Sequence, residues 1–143
     1  MIFFKLKTLL QKFLSTQNVN GLFASIGLVI LRVAVNAMML THGMHKFLHF
    51  FEISPHFDPI GLGAPLSLVL VVFAEVFCAI AVLLGFFTRF AAIPLIITMC
   101  VAVHFHVGQP FEAKELASLY LVFYIAILII GPGRYSIDRI FWR

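Results

Sequence analysis

Apolar residues run almost unbroken through four stretches of this chain, about 21–41, 65–87, 90–107 and 116–130, with polar residues gathered between them. The hydrocarbon layer of a bilayer is about 30 Å thick and a helix rises about 1.5 Å per residue, so about 20 mostly apolar residues make one crossing. Each stretch therefore predicts a transmembrane helix. None alternates apolar with polar in the manner of a lipid-facing strand, and in lipid every backbone group must find a partner within the protein, which favours helices. The fourth stretch is short, and Glu112, Lys114 and Glu115 at its start are expected to snorkel towards water.

Proline and glycine mark the connections. The first, about 42–64, carries Ser54-Pro55, Asp58-Pro59 and Gly61-Leu62-Gly63 and is long enough to fold over the bundle; the second, 85–89, is a tight hairpin. Gly108-Gln109-Pro110 forms the third, and Gly131-Pro132-Gly133-Arg134 ends the fourth helix. Pro94, inside the third stretch, either kinks it or sits in a first turn. The expected fold is all-α: a single-domain integral membrane four-helix bundle over residues 1–143, with interfacial N- and C-terminal segments at about 2–14 and 136–143. In the first segment Phe3, Leu6, Leu10 and Phe13 lie apart from Lys5 and Lys12; it has no continuous apolar core or small-residue cleavage site and makes a poor signal peptide. The second ends in Phe141 and Trp142 between arginines, suited to headgroups.

Composition narrows the class. Of 143 residues 62% are hydrophobic and 11% charged, against roughly 45–50% and about 25% in soluble domains. A soluble globular domain is excluded, and so is a disulfide-stapled module, because Cys78 and Cys100 each sit alone in an apolar run. The net charge of +4 reads as membrane orientation, not as nucleic-acid binding. With four crossings, Lys5, Lys7, Lys12, Arg89, Arg134, Arg139 and Arg143 share one side and Lys46 and Lys114 the other. The positive-inside rule then places both termini in the cytoplasm, and a bacterial plasma membrane is the expected location.

Two charges lie within the apolar stretches. Arg32 and Glu75 are each about ten residues into consecutive, oppositely directed spans, so depth alone pairs them. A lone charge at mid-bilayer costs about 2.5–3.5 kcal/mol or more; the pair either fixes helix register or forms the floor of a substrate or proton pocket. Arg32, Asn36, Met39, Gly43 and Lys46 continue a polar stripe along one helical face. All six histidines, His42, His45, His49, His56, His104 and His106, map to the same side of the membrane. The candidate ligand-binding pocket is thus Arg32, Asn36, His42, Lys46, Glu75 and His104. His42, His45, His49, His104 and His106 are also candidate metal ligands, and His42 with His104 or His106 a candidate pair of haem ligands. No H-E-x-x-H or C-x-x-C-H supports either, and hydrogen-bonded interfacial histidines are the plainer reading. Cys78 projects near Glu75, and Tyr120 and Tyr124, one turn apart, either pack or face the pocket.

Several segments together resemble the DoxX family of small membrane proteins. They are Leu31-Arg32, His42-Gly43 followed by Lys46-Phe47, Gly63-Ala64-Pro65, Glu75 with the run to Leu84-Gly85-Phe86-Phe87-Thr88-Arg89, and the closing Gly131-Pro132-Gly133-Arg134-Tyr135-Ser136-Ile137-Asp138. The likeness extends over about 28–140. It implies a four-helix membrane bundle and a subunit associated with an oxidoreductive pathway, binding a quinone or another small molecule. A non-enzymatic scaffold or assembly subunit of a larger complex is the alternative, and a dimeric transporter a third reading. No self-sufficient catalytic motif is present, so electrons would have to come through another subunit or a diffusible quinone. The expected partners are the lipid bilayer and a larger membrane complex or a second copy, with no nucleic acid.

Overall fold

The structure is a computed structural model that describes residues 21–141; the expected interfacial segment at 2–14 lies outside the described residues. Those residues form helices and connections, with no strand among them. Helix α1 spans Leu22–Leu48. A short helix α2, Phe50–Ile53, and a 3-10 turn, Ser54–His56, follow. Helices α3, Ala64–Leu84, α4, Thr88–Phe105, and α5, Phe111–Ile130, complete the set long and apolar enough to cross a membrane, and α6, Ile137–Phe141, closes the described chain. The architecture is an all-α membrane bundle with four candidate spans.

Helix α1 continues past the expected end near residue 41. His42, His45, Lys46 and His49 keep helical spacing there, and the buried face carries on through Met39 and Gly43, so packing against α3 holds the polar turns in the helix. Pro94 lies inside α4, beyond its first turn, and the helix runs on through it. The first connection does fold over the bundle: Phe50, Ile53 and Phe57 pack on Leu68, Val72 and Val76 of α3. The main core is built on small residues, Ala74, Ala79, Ala91 and Ala92, with Leu95, Met99, Tyr124 and Ile127 filling the space between. Small side chains let membrane helices approach closely, since lipid offers no hydrophobic drive to bring them together. Phe23, Ile30, Ile97, Val122 and Ile129 point outward, each more than half exposed, as a lipid-facing surface requires.

The helix ends near Gly85 account for their polar groups almost one by one. Gly85 takes φ 73°, and Phe86 N–H bonds Ala81 O while Gly85 N–H bonds Val82 O, a Schellman ending to α3. Asp138 caps the start of α4, its carboxylate accepting from the Phe87 and Thr88 amides at 2.6 and 2.9 Å. Its own amide donates to Gly85 O at 2.8 Å. Arg89 Nη2 donates to Ile129 O near the end of α5. The segment expected to be interfacial is therefore tied into the bundle through Ser136 and Asp138, both buried, while Ile140 and Phe141 face outward.

Helices α1 and α3 run antiparallel with a fixed register, Gly43 lying on Glu75. A Cβ at Gly43 would stand 2.8 Å from the Glu75 carbonyl carbon and oxygen, which are backbone atoms and cannot swing aside. Gly43→Ala should therefore push α1 off α3 and cost about 1–3 kcal/mol, as overpacking does. Gly27→Ala, which meets nothing within 4 Å, should leave stability unchanged or slightly raised. Thermal unfolding of both variants in one detergent checks the contrast, and equal midpoints would contradict the close approach.

Candidate functional site

Glu75 is buried, 3% exposed, within a π-helical turn over Phe73–Cys78 in α3. Its partner is Lys46: the ammonium donates to both carboxylate oxygens, at 2.6 and 2.7 Å. Two local features make the pair. Gly43 brings α1 against the Glu75 backbone, and Lys46 follows three residues later, on the same face of the helix. The π turn inserts a wide turn at this level, a device common where a helix presents a functional side chain.

This corrects the expectation that Arg32 pairs with Glu75. Arg32 lies beside Gly85 and Glu75 beside Gly43; the eleven-residue step along α1 from position 32 to 43 puts the two levels about 16 Å apart along the helix. Counting depth inward from span ends failed because α1 is longer than its apolar stretch and the polar extension lies at the Lys46 end. Arg32 is committed elsewhere. Its Nε donates to Leu83 O at 3.2 Å, Nη2 to Tyr135 O at 2.8 Å, and Nη1 to Pro132 O. All three acceptors are backbone carbonyls at the end of α3 or in the closing loop, groups that helix geometry leaves without an intrahelical donor.

Two cavities meet at the Lys46–Glu75 pair. The larger, about 490 Å³, is lined by both residues with His56, Asp58 and His106, and by apolar walls from Phe57, Val71, Val101 and Phe105. The smaller, about 140 Å³, shares Lys46, Glu75 and Ala102 and adds Met39, His42, Met99 and Tyr120. Asp58 is fixed by the first connection: Ser67 Oγ donates to it at 2.6 Å, and the Leu62 and Gly63 amides at 3.1 and 3.0 Å. The Ser67 bond above all, with those amides, holds the Asp58 carboxyl below its ordinary range, so it stays charged at the cavity rim.

The other predicted residues divide. His42 joins the smaller cavity, its ring edge-on to Tyr120 at 6.2 Å between centroids. Asn36 lines neither cavity; it bonds Arg32 O through Nδ2 at 2.7 Å and accepts the Tyr124 hydroxyl at 3.1 Å, tying α1 to α5. His104 is exposed and lines neither cavity, and Arg32 lies at the other end of the bundle, so neither belongs with Lys46 and Glu75. His106 comes to the larger cavity instead. Its Nδ1 stands 2.7 Å from Ala102 O, so that nitrogen carries the proton and Nε2 remains for another partner. His45 and His49 stack on each other at 4.6 Å on the exposed face of α1. The five histidines considered as metal ligands are thus dispersed, and among the described residues no three His, Cys, Asp or Glu side chains converge to hold a metal. Of the candidate haem ligands, His42 lines the smaller cavity and His106 the larger.

Asp58 and His56 were absent from the predicted pocket; Tyr120, for which packing and facing the pocket were both open, does both. Asp58 reads in sequence as a turn residue before proline, and only its nine-residue separation from Ser67, across a Gly-Leu-Gly turn, hinted at a helix-capping contact.

Comparison with known proteins agrees with this membrane bundle. The family model DoxX matches residues 27–108. An uncharacterised protein of Haemophilus influenzae is 36% identical, the match covering 81% of this chain and 91% of the relative. An uncharacterised membrane protein of Mycobacterium tuberculosis is 32% identical over 78% of each chain. No solved structure matches significantly.

The ion pair makes a quantitative prediction. Lys46→Met leaves the buried Glu75 carboxylate uncompensated and should destabilise the bundle by about 3–5 kcal/mol; Glu75→Met leaves only the partly exposed Lys46 ammonium and should cost less, and the double variant, with no charge left to bury, should recover most of the larger loss. A double-mutant cycle from unfolding in mixed micelles measures the coupling; additive losses would contradict direct pairing.

Proposed function

The chain belongs to the DoxX family, and from that premise we propose that it is a membrane subunit that binds a quinone or a similar amphipathic carbonyl compound for an oxidoreductive pathway. The observation that carries this reading is the position of the Lys46–Glu75 pair: an internally neutral ion pair, its carboxylate buried and its ammonium partly exposed, borders two cavities.

The chemistry follows from the donors left over. An ammonium has three N–H groups, and two of the Lys46 bonds go to Glu75, so one remains for an acceptor oxygen in a cavity. Glu75 neutralises the lysine, which favours a neutral carbonyl over an anion as the incoming group. The apolar walls of the two adjoining cavities, which share Lys46, Glu75 and Ala102, suit a flat ring, the arrangement of most small-molecule sites, where a few polar groups orient a ligand among hydrophobic ones. His106, on the larger cavity, can pass protons between the ligand and water, while the Asp58 carboxylate stays charged at the rim. The protein's own part is to bind and orient the ligand and to move protons; electrons come from a partner. In this reading the Lys and Arg excess at the other end holds both termini in the cytoplasm of a bacterial cell, and the cavities open towards the outer face.

Ligand binding to the Lys46→Met/Glu75→Met variant tests the proposal, because that protein is expected to keep its fold while losing both polar groups. Titration of purified protein in nanodiscs with a short-chain quinone should show affinity at least about tenfold weaker in the double variant, the scale of one lost charge-assisted hydrogen bond. Equal affinity in both proteins would overturn the reading. Absence of quinone binding, together with co-purification of a larger complex, would favour a scaffold.

A further inference from the structure

Tyr120 is 5% exposed, and its hydroxyl oxygen is buried without a hydrogen-bond partner. A buried hydroxyl left unpaired is costly, so one that persists calls for an occupant. The neighbouring tyrosine shows the contrast: Tyr124, one turn away, gives its hydroxyl to Asn36. Tyr120 lies within electrostatic reach of Glu75 and stands at a junction. On one side is the small cavity with Met39, His42, Lys46 and Glu75. On the other is a crevice between α1 and α5 of about 180 Å³, lined by Val35, Met38, Leu116, Leu119 and Phe123 and almost wholly apolar. Tyr120 and Leu116 belong to both. Met38 and Leu119 are more than half exposed on a surface that faces lipid, so the crevice meets the acyl chains of the bilayer.

We propose that this crevice holds the apolar tail of the ligand and that Tyr120 donates the hydrogen bond its hydroxyl lacks to a carbonyl oxygen of the head group, placed in the small cavity beside Lys46. The inference rests on the quinone-class reading above and deepens it: the ligand is a tailed, neutral carbonyl compound that reaches the site sideways from the membrane, between α1 and α5. Two donors, Tyr120 and Lys46, then converge on the head, and Val35 and Leu119 select for the tail. Phospholipid esters share the chemistry of an acceptor carbonyl on an apolar chain, and the test separates the two sources.

The probes are two fully substituted benzoquinones, 2,3-dimethoxy-5,6-dimethyl-1,4-benzoquinone and its analogue with a decyl chain in place of one ring methyl, neither of which has a vacant ring position for thiols to attack. Affinity is measured in nanodiscs for wild type, Tyr120→Phe and Val35→Trp, with thermal unfolding alongside. Tyr120→Phe should weaken both quinones by about fivefold to tenfold while leaving stability unchanged or raised, since the lost hydroxyl had no partner. Val35→Trp, which fills the crevice, should abolish the advantage of the decyl compound over the tailless one and leave tailless binding intact. Should Val35→Trp misfold, Leu119→Trp fills the crevice from α5 and reads the same quantity. An unaltered decyl advantage in both crevice variants, with Lys46-dependent binding intact, would overturn the inference and spare the wider reading. Failure of both quinones to bind wild type would overturn both. Displacement of the decyl compound by a short-chain phosphatidylcholine at equal mole fraction would show a general lipid crevice and overturn the inference.

Discussion

A helix that ends inside or at the edge of a membrane leaves carbonyl oxygens with no donor, and the structure depends on how those oxygens are satisfied. Arg32 answers most of the demand at one end of the bundle. Its planar fork reaches Leu83 O at the end of α3 and the Pro132 and Tyr135 carbonyls of the closing loop, a geometry that an ammonium cannot reproduce from one point. The glycines around it are spatial requirements. A Cβ on Gly85 would lie 2.6 Å from Ser136 Cβ and 2.8 Å from Arg32 Nη1, and one on Gly133 would lie 2.6 Å from Leu28 Cδ2. Asp138 completes the arrangement by capping α4, with Arg32 and Arg89 as its neighbouring positive charges.

That closure leaves α1 with a rigid base and fixes what its other end can reach. Once Arg32 is anchored beside Gly85, antiparallel register sets Gly43 on Glu75 and brings Lys46 to the carboxylate. The two charged residues of the apolar spans therefore serve different ends. Arg32 is committed to backbone oxygens and lines neither cavity, whereas the Lys46–Glu75 pair borders open space on two sides. Asn36 and Tyr124 link the two levels by joining α1 to α5 midway.

Much of this was legible in the sequence. Hydrophobic runs of membrane-crossing length announced the four spans, and glycine and proline announced the connections, because both signals are local. The closing Gly131-Pro132-Gly133-Arg134-Tyr135 segment stood out as a motif, yet its purpose, to offer carbonyls to Arg32, depends on a contact one hundred residues away. The Arg32–Glu75 pairing failed for the same reason. Depth was inferred from span ends, and the polar turn of α1 after Thr41, which carries the true partner Lys46, read as loop. Lys46, Glu75 and His42 were all named as pocket residues, but the exchange of Arg32, Asn36 and His104 for Asp58 and His106 needed the fold, since these two come from different connections.

The central claim is that Lys46, and not Arg32, is the charge partner of Glu75 and that this pair meets the ligand. Solid-state NMR of the protein in bilayers, with ¹⁵N in lysine side chains and ¹³C in glutamate carboxyls, measures it directly through dipolar recoupling. A short Nζ-to-carboxylate contact should be present in the free protein, consistent with Nζ–O distances of 2.6 and 2.7 Å, and should persist when a quinone is added, while the Lys46 ¹⁵N shift moves as the third N–H finds the quinone carbonyl. No lysine–glutamate contact in the free protein, or a Lys46 ¹⁵N shift indifferent to the ligand, would contradict the account.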